Sequence, residues 1–394
     1  MRDGWSEVAI QDVAQQVRRT VSVEAGGRYP LLGVRWYGNG PFLREIGVGG
    51  RIKATKLYKV KAGDFIYNRL FAWKGSFGVI DEALSEKFVS GEFPTFVTDH
   101  QRLLPEYLNL LMCQSSTWTQ IERESTGSTA TSRNRWKESR FLEWPILLPP
   151  RLVQRRILNL IGAIDEQLDA TDEVARRARQ SVHVANSELI DWTQSLHPLG
   201  EVAIIESKLV DPTLDEYRNM PHIGVDRIVS SEGTLLPLLS AEQDGVTSGK
   251  HLFDSRDVIY SKIRPELRKA AFPASIGLCS ADAYPLRPCS ELMPEYLLDV
   301  LLSDSFTQQS VARSGRTKMP KINRQELFAI EIPVPALEEQ REVVDFIGML
   351  RDVGTAAHTS HEALLELKYA LLASLLSGHR EIPDSYDVLL EGCS

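Results

Sequence analysis

The chain has 394 residues, of which 43% are hydrophobic and 25% charged; this composition excludes a disordered chain, and the length exceeds what one ordinary core needs. No run of about 18 apolar residues exists and the N-terminal MRDGWSEVAI lacks a leader's apolar core, so neither a transmembrane helix nor a signal peptide is expected. The net charge of −8 weighs against nucleic-acid binding only if charge is spread evenly, and four scattered cysteines without a CxxC pair fit a reducing cytoplasm better than a disulfide framework or zinc site.

In chain order, the elements of the first half recur in the second. EVAI at Glu7–Ile10 returns at Glu201–Ile204, and YPLLGV at Tyr29–Val34 is echoed by MPHIGV at Met220–Val225. A turn leading into a strand at Tyr58–Tyr67 (YKVKAGDFIY) is matched at Phe253–Tyr260 (FDSRDVIY). LPEYLNLLM at Leu104–Met112 and MPEYLLDVL at Met293–Leu301 read as amphipathic helices with Pro in the first turn, Tyr107 and Tyr296 being core residues. Each is followed by a Gly/Ser/Thr-containing stretch, STGSTATSRNR or SGRTKMPKINR. Then comes a strand-like run closed by prolines, WPILLPP or IEIPVP. PPRLVQRRI from Pro149 matches PALEEQREV from Pro335. Matches in one order describe two related halves of roughly 190 residues.

After the prolines both halves change character. From Arg151 to about Ser195 there is no Pro and one Gly, and a seam runs through Ile157, Ile161, Ile164, Leu168, Thr171, Ala175, Ala178, Val182, Ala185, Leu189 and Trp192. Val343, Ile347, Leu350, Gly354, Ala357, His361, Leu364, Lys368, Leu371 and Leu375 repeat the spacing, with His361 and Lys368 as polar interruptions. A helix of about 40 residues is roughly 60 Å long, and two in one chain most simply pair with each other. The chain must return between them, so the pair is expected to be antiparallel. The expected fold is α+β: two tandem mixed α/β domains, linked and separated by two long helices in an antiparallel coiled coil, with pseudo-twofold symmetry. The boundaries are a first domain over 1–150, spacer helix 151–196, second domain 197–335, spacer helix 336–378 and a tail 379–394.

Charge is segregated. Arg51 to Lys61 (RIKATKLYKVK) holds five basic residues and no acid, as does Arg313 to Arg324. Arg133, Arg135, Lys137 and Arg140 occupy the repeat-equivalent stretch of the first half, and Lys262, Arg264, Arg268 and Lys269 cluster around Glu266. Acids concentrate on the long helices. Basic clusters within the globular parts are the footprint of a surface that meets phosphate. The candidate DNA-binding residues are therefore Arg51, Lys53, Lys56, Arg69, Lys74, Arg133, Asn134, Arg135, Lys137, Lys262, Arg264, Arg313, Arg316, Lys318, Lys321 and Arg324; Ser132, Thr317 and Asn323 could also position or read bases. His222, His251 and the tryptophans are expected in core or surface roles.

The order of globular domain, proline edge with a Gln-containing helix start (IPVPALEEQREVV), long helix, then the same again resembles the DNA-specificity subunit of type I restriction–modification systems. FAWKGSFGVI and VSGEFPTF, at Phe71–Ile80 and Val89–Phe96, also resemble first-domain sequences of that family, and the resemblance runs from about Trp5 to Gly378. The helix-start motif is worn in the first half, where Gln154 is kept but Val153 replaces the usual acid. The resemblance implies two target-recognition domains, each reading half of a split, asymmetric double-stranded DNA sequence. It implies helices that set the spacer and dock two adenine-N6 methyltransferase subunits, with Gln154 and Gln340 at the partner contact. It further implies that the cofactors lie elsewhere: S-adenosylmethionine in the methyltransferases, ATP and Mg in restriction-translocase subunits, none in this chain, and no metal.

An enzyme reading lacks parts. There is no Walker-type phosphate loop, HEALLE at His361 lacks the second His of HExxH, and no methyltransferase motif is present. PDSYDVLLEG at Pro383 lacks the lysine of a nuclease carboxylate pattern. The alternatives are a specificity subunit of another defence system, or a protein-interaction scaffold without DNA binding.

Overall fold

In the computed structural model, residues 4–125, 135–315, 319–383 and 385–387 are described. The chain forms two compact units, Met1–Gln167 with Leu364–Ser394, and Leu168–Ala363. The first contains strands β1 (Ser6–Ala9), β2 (Ala14–Val17), β3 (Arg19–Ser22), β4 (Arg28–Val34), β5 (Pro41–Val48), β6 (Lys56–Lys59), β7 (Phe65–Tyr67), β8 (Phe77–Val79), β9 (Phe88–Val89), β10 (Thr95–Thr98) and β11 (Pro145–Leu148). The second contains β12 (Leu196–Pro198), β13 (Ala203–Ile204), β14 (Leu209–Val210), β15 (Pro221–Ile223), β16 (Leu239–Ser240), β17 (Lys250–Phe253), β18 (Val258–Ser261), β19 (Ala270–Ala271), β20 (Gly277–Cys279), β21 (Ala283–Pro288) and β22 (Glu331–Pro333).

The repeat is a repeat of topology. The first unit orders its sheets β1-β11, β2-β10-β7-β8 and β3-β6-β9-β4-β5; the second orders them β12-β22, β13-β21-β18-β19 and β14-β17-β20-β15-β16, the same succession strand for strand. Even the parallel pairing recurs at the same place, Leu31 opposite Phe88 and His222 opposite Leu278. The two copies fill their cores differently. Phe65, Tyr67, Phe77, Phe96, Trp136 and Phe141 stack in the first unit, whereas the second packs mainly Leu, Val and Ile around Tyr260, Tyr296 and Phe306.

The recurring sequence motifs have structural causes. In GDFIY and RDVIY the shared Asp caps the turn before β7 or β18. Asp64 accepts the Lys61 N–H (2.8 Å) and Asp257 accepts the Asp254 N–H (2.9 Å). Each buried carboxylate is then neutralised by an arginine, Arg19 (3.0 Å) or Arg287 (2.8 Å). The EVAI identity, by contrast, is out of register. Ile10 N–H donates to Trp144 O, and the matching bond in the second unit is Leu199 N–H to Ile330 O, so Ile10 corresponds to Leu199 and not to Ile204.

The helices are α1 (Pro105–Met112), α2 (Ser115–Glu124), α3 (Glu138–Leu142), α4 (Arg151–Glu188), α5 (Leu199–Val202), α6 (Pro294–Leu302), α7 (Asp304–Arg313), α8 (Arg324–Phe328) and α9 (Leu337–Leu376). No described helix is long and apolar enough to cross a membrane. The expected α4 seam from Ile157 to Ala185 is buried except at Thr171. Inside the second unit, Leu168 O and Thr171 Oγ1 both lie 3.2 Å from His361 Nδ1, while Val182 and Ala185 pack on Ile347. A Cβ added at Gly354 would sit 3.3 Å from that of Ala178. Rising numbers on α4 meet falling numbers on α9, so the pair is antiparallel. Inside the first unit Lys368 pairs with Asp165. The polar interruptions of the seam are thus satisfied within the helix pair. The expected helix to about Ser195 is too long. Asp191 turns back to accept from Thr193 N–H (2.9 Å), a local bond that competes with helix, and Leu189 and Trp192 fall beyond the end at Glu188.

Gln154 and Gln340 require a correction. Expected at a partner contact, both side chains are 0% exposed. Gln154 Oε1 accepts the N–H of Leu104 (2.9 Å), the cap residue before PEYL, and its Nε2 donates to Arg102 O (2.7 Å) and Pro149 O (2.9 Å). Gln340 does the same with Met293 N–H, Glu291 O and Pro335 O, each at 2.8 Å. The glutamine latches the start of the long helix to the start of the PEYL helix. The N–H of the residue before a helix has no partner inside the helix, and here the glutamine amide accepts it, at Leu104 in one unit and Met293 in the other. Gln154→Ala or Gln340→Ala strands buried backbone groups and is expected to cost about 3 kcal/mol. Urea unfolding followed by circular dichroism reads this, and an unchanged midpoint in both variants would refute the latch.

Candidate nucleic-acid interface

The basic candidates that the structure describes gather into defined arrangements. In the first unit, the chain leaving β7 places Arg69, the β9–β10 connection places Glu92, and the segment entering α3 places Arg135. Backbone bonds lock the three together: Trp136 N–H to Arg69 O and Arg69 N–H to Glu92 O, both 3.0 Å. Their side chains form a triad with the acid between two guanidiniums. Arg135 Nη2 and Nε donate to Glu92 (2.9 and 3.3 Å), and Arg69 lies 3.4 Å from the same carboxylate. The Arg135 hydrogen bond holds the Glu92 carboxyl below its usual range against the upward pull of partial burial, and the Arg69 charge adds to the lowering.

The second unit builds the same device. Ile322 N–H donates to Lys262 O (2.9 Å) and Lys262 N–H to Asp282 O (3.0 Å). Asp282 then stands between Lys321 (3.0 Å) and Lys262 (3.8 Å). Lys262 also donates to Ala281 O (2.6 Å) and lies 5.4 Å from the centre of the Tyr284 ring. Arg264 N–H reaches Pro320 O (2.8 Å), its side chain turned to Glu266 at 3.3 Å. Arg324 opens α8 with its guanidinium 5.0 Å from the Phe328 ring centre. Arg313, at the end of α7, spends a donor on Gln309 O (3.4 Å).

Arg69, and of the remaining first-unit candidates Arg51 and Lys53, line two cavities that share Phe93. One, of about 230 Å³, is lined by Arg69 with Arg18, Tyr58 and Glu138. The other, of about 510 Å³, is lined by Arg51 and Lys53 with Arg44. Lys56 opens β6 and is exposed, as is Lys137 before α3. Lys74 is more committed than expected, its ammonium 3.9 Å from the Trp36 ring centre and 4.9 Å from that of Trp73. Arg133, Asn134, Arg316 and Lys318, with Ser132 and Thr317, lie outside the described residues. Buried His222 has a structural partner, Asp244 at 2.6 Å from Nδ1.

Sequence reasoning missed Glu92, Asp282 and Tyr284. The acids are separated from their basic partners by 43 residues (Glu92, Arg135) and 39 (Asp282, Lys321), so no local pattern announces them.

Residues 193–367 match the family model described as the type I restriction modification DNA specificity domain. Over 144 residues the chain is 40% identical to the type I restriction enzyme EcoDI specificity subunit of Escherichia coli; this match covers 36% of the chain and 32% of that protein. The chain thus spans about a third of the length of that curated relative. The fold resembles the HsdS subunit from Thermoanaerobacter tengcongensis, with TM-score 0.50 and 17% identity over 96% of this chain and 98% of that one. It also resembles a chain solved in work on complex assembly and conformational transition of the type I R-M system, with TM-score 0.63 and 16% identity over 95% and 98%. With that domain matched in its second unit and the same strand order in its first, the chain is similar to the specificity subunits of type I restriction–modification systems.

Proposed function

We propose that this chain is the non-catalytic DNA-reading subunit of a type I restriction–modification complex, working in the cytoplasm on a bipartite, asymmetric target. Each unit contacts one half-site through its triad and the flanking basic residues. The observation that carries this reading is the recurrence of a cation–acid–cation triad at topologically equivalent positions of both units. A fold can conserve a core for stability, but half-exposed cations held in one arrangement twice point to a shared ligand, and the ligand that cations of this spacing meet in a specificity subunit is the duplex.

The long helices set the spacer and dock two adenine-N6 methyltransferase subunits, which carry S-adenosylmethionine; restriction-translocase subunits bring ATP and Mg. Supporting this, α9 exposes Phe346, Met349 and Val353 at helical spacing, an apolar stripe suited to a protein partner. Replacing residues 197–335 with the corresponding segment of another specificity subunit is expected to change one half of the methylated sequence and leave the other intact. Adenine methylation mapped genome-wide with and without the exchange reads this out. A change in both halves, or no methylation dependent on this chain, would sink the reading.

A further inference from the structure

We propose that the two triads divide the work: Arg135 in the first unit reads a guanine, and the Lys262–Lys321–Arg324 cluster in the second anchors phosphate. This rests on the DNA-binding reading above and adds a role for each site. Three observations carry it.

The first is residue type at equivalent positions. Arg69 and Arg135 of the first unit are replaced by Lys262 and Lys321 in the second. A guanidinium is a planar fork with directed donors, whereas an ammonium is a point charge that suits phosphate.

The second is the charge balance. Arg69 is also paired with Glu138 (3.1 Å), so in the first unit two arginines face two glutamates. The position that corresponds to Glu138, the first residue of the short helix, is Arg324 in the second unit. There, Lys262 and Lys321 share the single Asp282, and the second acid is replaced by a third cation, Arg324. A neutralised site has little pull on a phosphate and keeps only its directed hydrogen bonds; a site with excess positive charge attracts the backbone whatever its sequence.

The third is geometry. Glu92 grips Arg135 along its Nε and Nη2 edge, which fixes the plane of the guanidinium and leaves the Nη1 end free to donate. That end, with the second hydrogen of Nη2, matches the O6 and N7 acceptors of guanine in the major groove. Asp282 places both ammoniums on one oxygen and fixes no plane.

The test uses the full chain assembled with type I methyltransferase subunits and a pool of duplexes with a randomised core. Two quantities are read: the enriched consensus, and the slope of binding against salt. Arg135→Lys keeps the charge and loses the fork; it is expected to erase preference at one guanine position and leave the salt slope unchanged. Lys321→Ala and Arg324→Ala are each expected to reduce the slope by about 0.9, the value of one phosphate contact, with the consensus unchanged. Retention of the full consensus by Arg135→Lys, or a consensus altered by Lys321→Ala, overturns the division of labour while leaving DNA binding in place. If no variant moves either quantity, the duplex lies elsewhere and the assignment of these triads to DNA falls with it.

Discussion

Replacing Trp136 with alanine is expected to destabilise the first unit by about 4 kcal/mol, the range for deleting a buried large aromatic. The indole is 0% exposed. Its ring lies 5.5 Å from Tyr67, 5.7 Å from Phe141 and 5.4 Å from Trp144, centre to centre, mostly at tilted or edge-on angles. The void cannot collapse easily, because these neighbours are held by β7 and α3. The same residue also matters for the interface. Its backbone N–H fastens the segment carrying Arg135 to Arg69, so the buried side chain anchors the first triad. Trp136→Phe keeps most of the volume and removes an indole N–H that has no hydrogen-bond partner; it is expected to cost far less. Circular dichroism during urea unfolding distinguishes the two, and equal midpoints for wild type and Trp136→Ala would mean that the cluster repacks.

Trp136 also shows which features of this protein could be read before the structure. It stands next to Arg135 in a stretch that looks like a polar loop, and its counterpart is Ile322, buried by the same backbone bond to Lys262. Tryptophan and isoleucine share no sequence signal beyond bulk, so this equivalence is visible only from the hydrogen bonds. The PEYL helices and the two Asp-containing turns were legible, because there a chemical requirement fixes residue type: proline tolerated in a first turn, a carboxylate to cap a turn. The long helices were legible from periodicity. EVAI misled because four residues of identity carry no information on register when the flanking loops differ in length. The triads were half legible. Their cations stand out as basic clusters, but an acid contributed from a loop some forty residues away is set by topology. The glutamines misled for a different reason. The family resemblance implied a partner contact for them, whereas they are enclosed by the backbone they serve.

The second large effect is expected at Arg351. Its guanidinium pairs with Asp299 of α6, whose carboxylate is 0% exposed. Asp299 Oδ2 and Arg351 Nε have no hydrogen-bond partner, so the pair is only partly compensated. Burial pushes the Asp299 carboxyl up to about 6 even though the arginine charge pulls it down. Removing the arginine leaves a buried carboxylate with no counter-charge, and Arg351→Met is expected to cost about 3–5 kcal/mol at neutral pH. The pH dependence gives the signature. Because the folded value lies above the value of about 4 in an unfolded chain, the native state holds a proton that the unfolded state releases between about pH 4 and 6. The stability that comes with that proton is full below about pH 4 and is lost as the pH rises through about 6. Wild type should therefore gain on Asp299→Asn by about 3 kcal/mol as the pH falls from 7 to 4, since the asparagine cannot titrate. Arg351→Met should recover part of its loss over a window that begins at higher pH, because without the arginine the carboxyl is pushed up further. The double variant Asp299→Asn with Arg351→Met buries no charge and should recover most of the neutral-pH loss. Parallel stability profiles for wild type and Asp299→Asn across this range would show that the carboxyl titrates as it does in water, and that the pair does not hold α6 to α9 through buried charge.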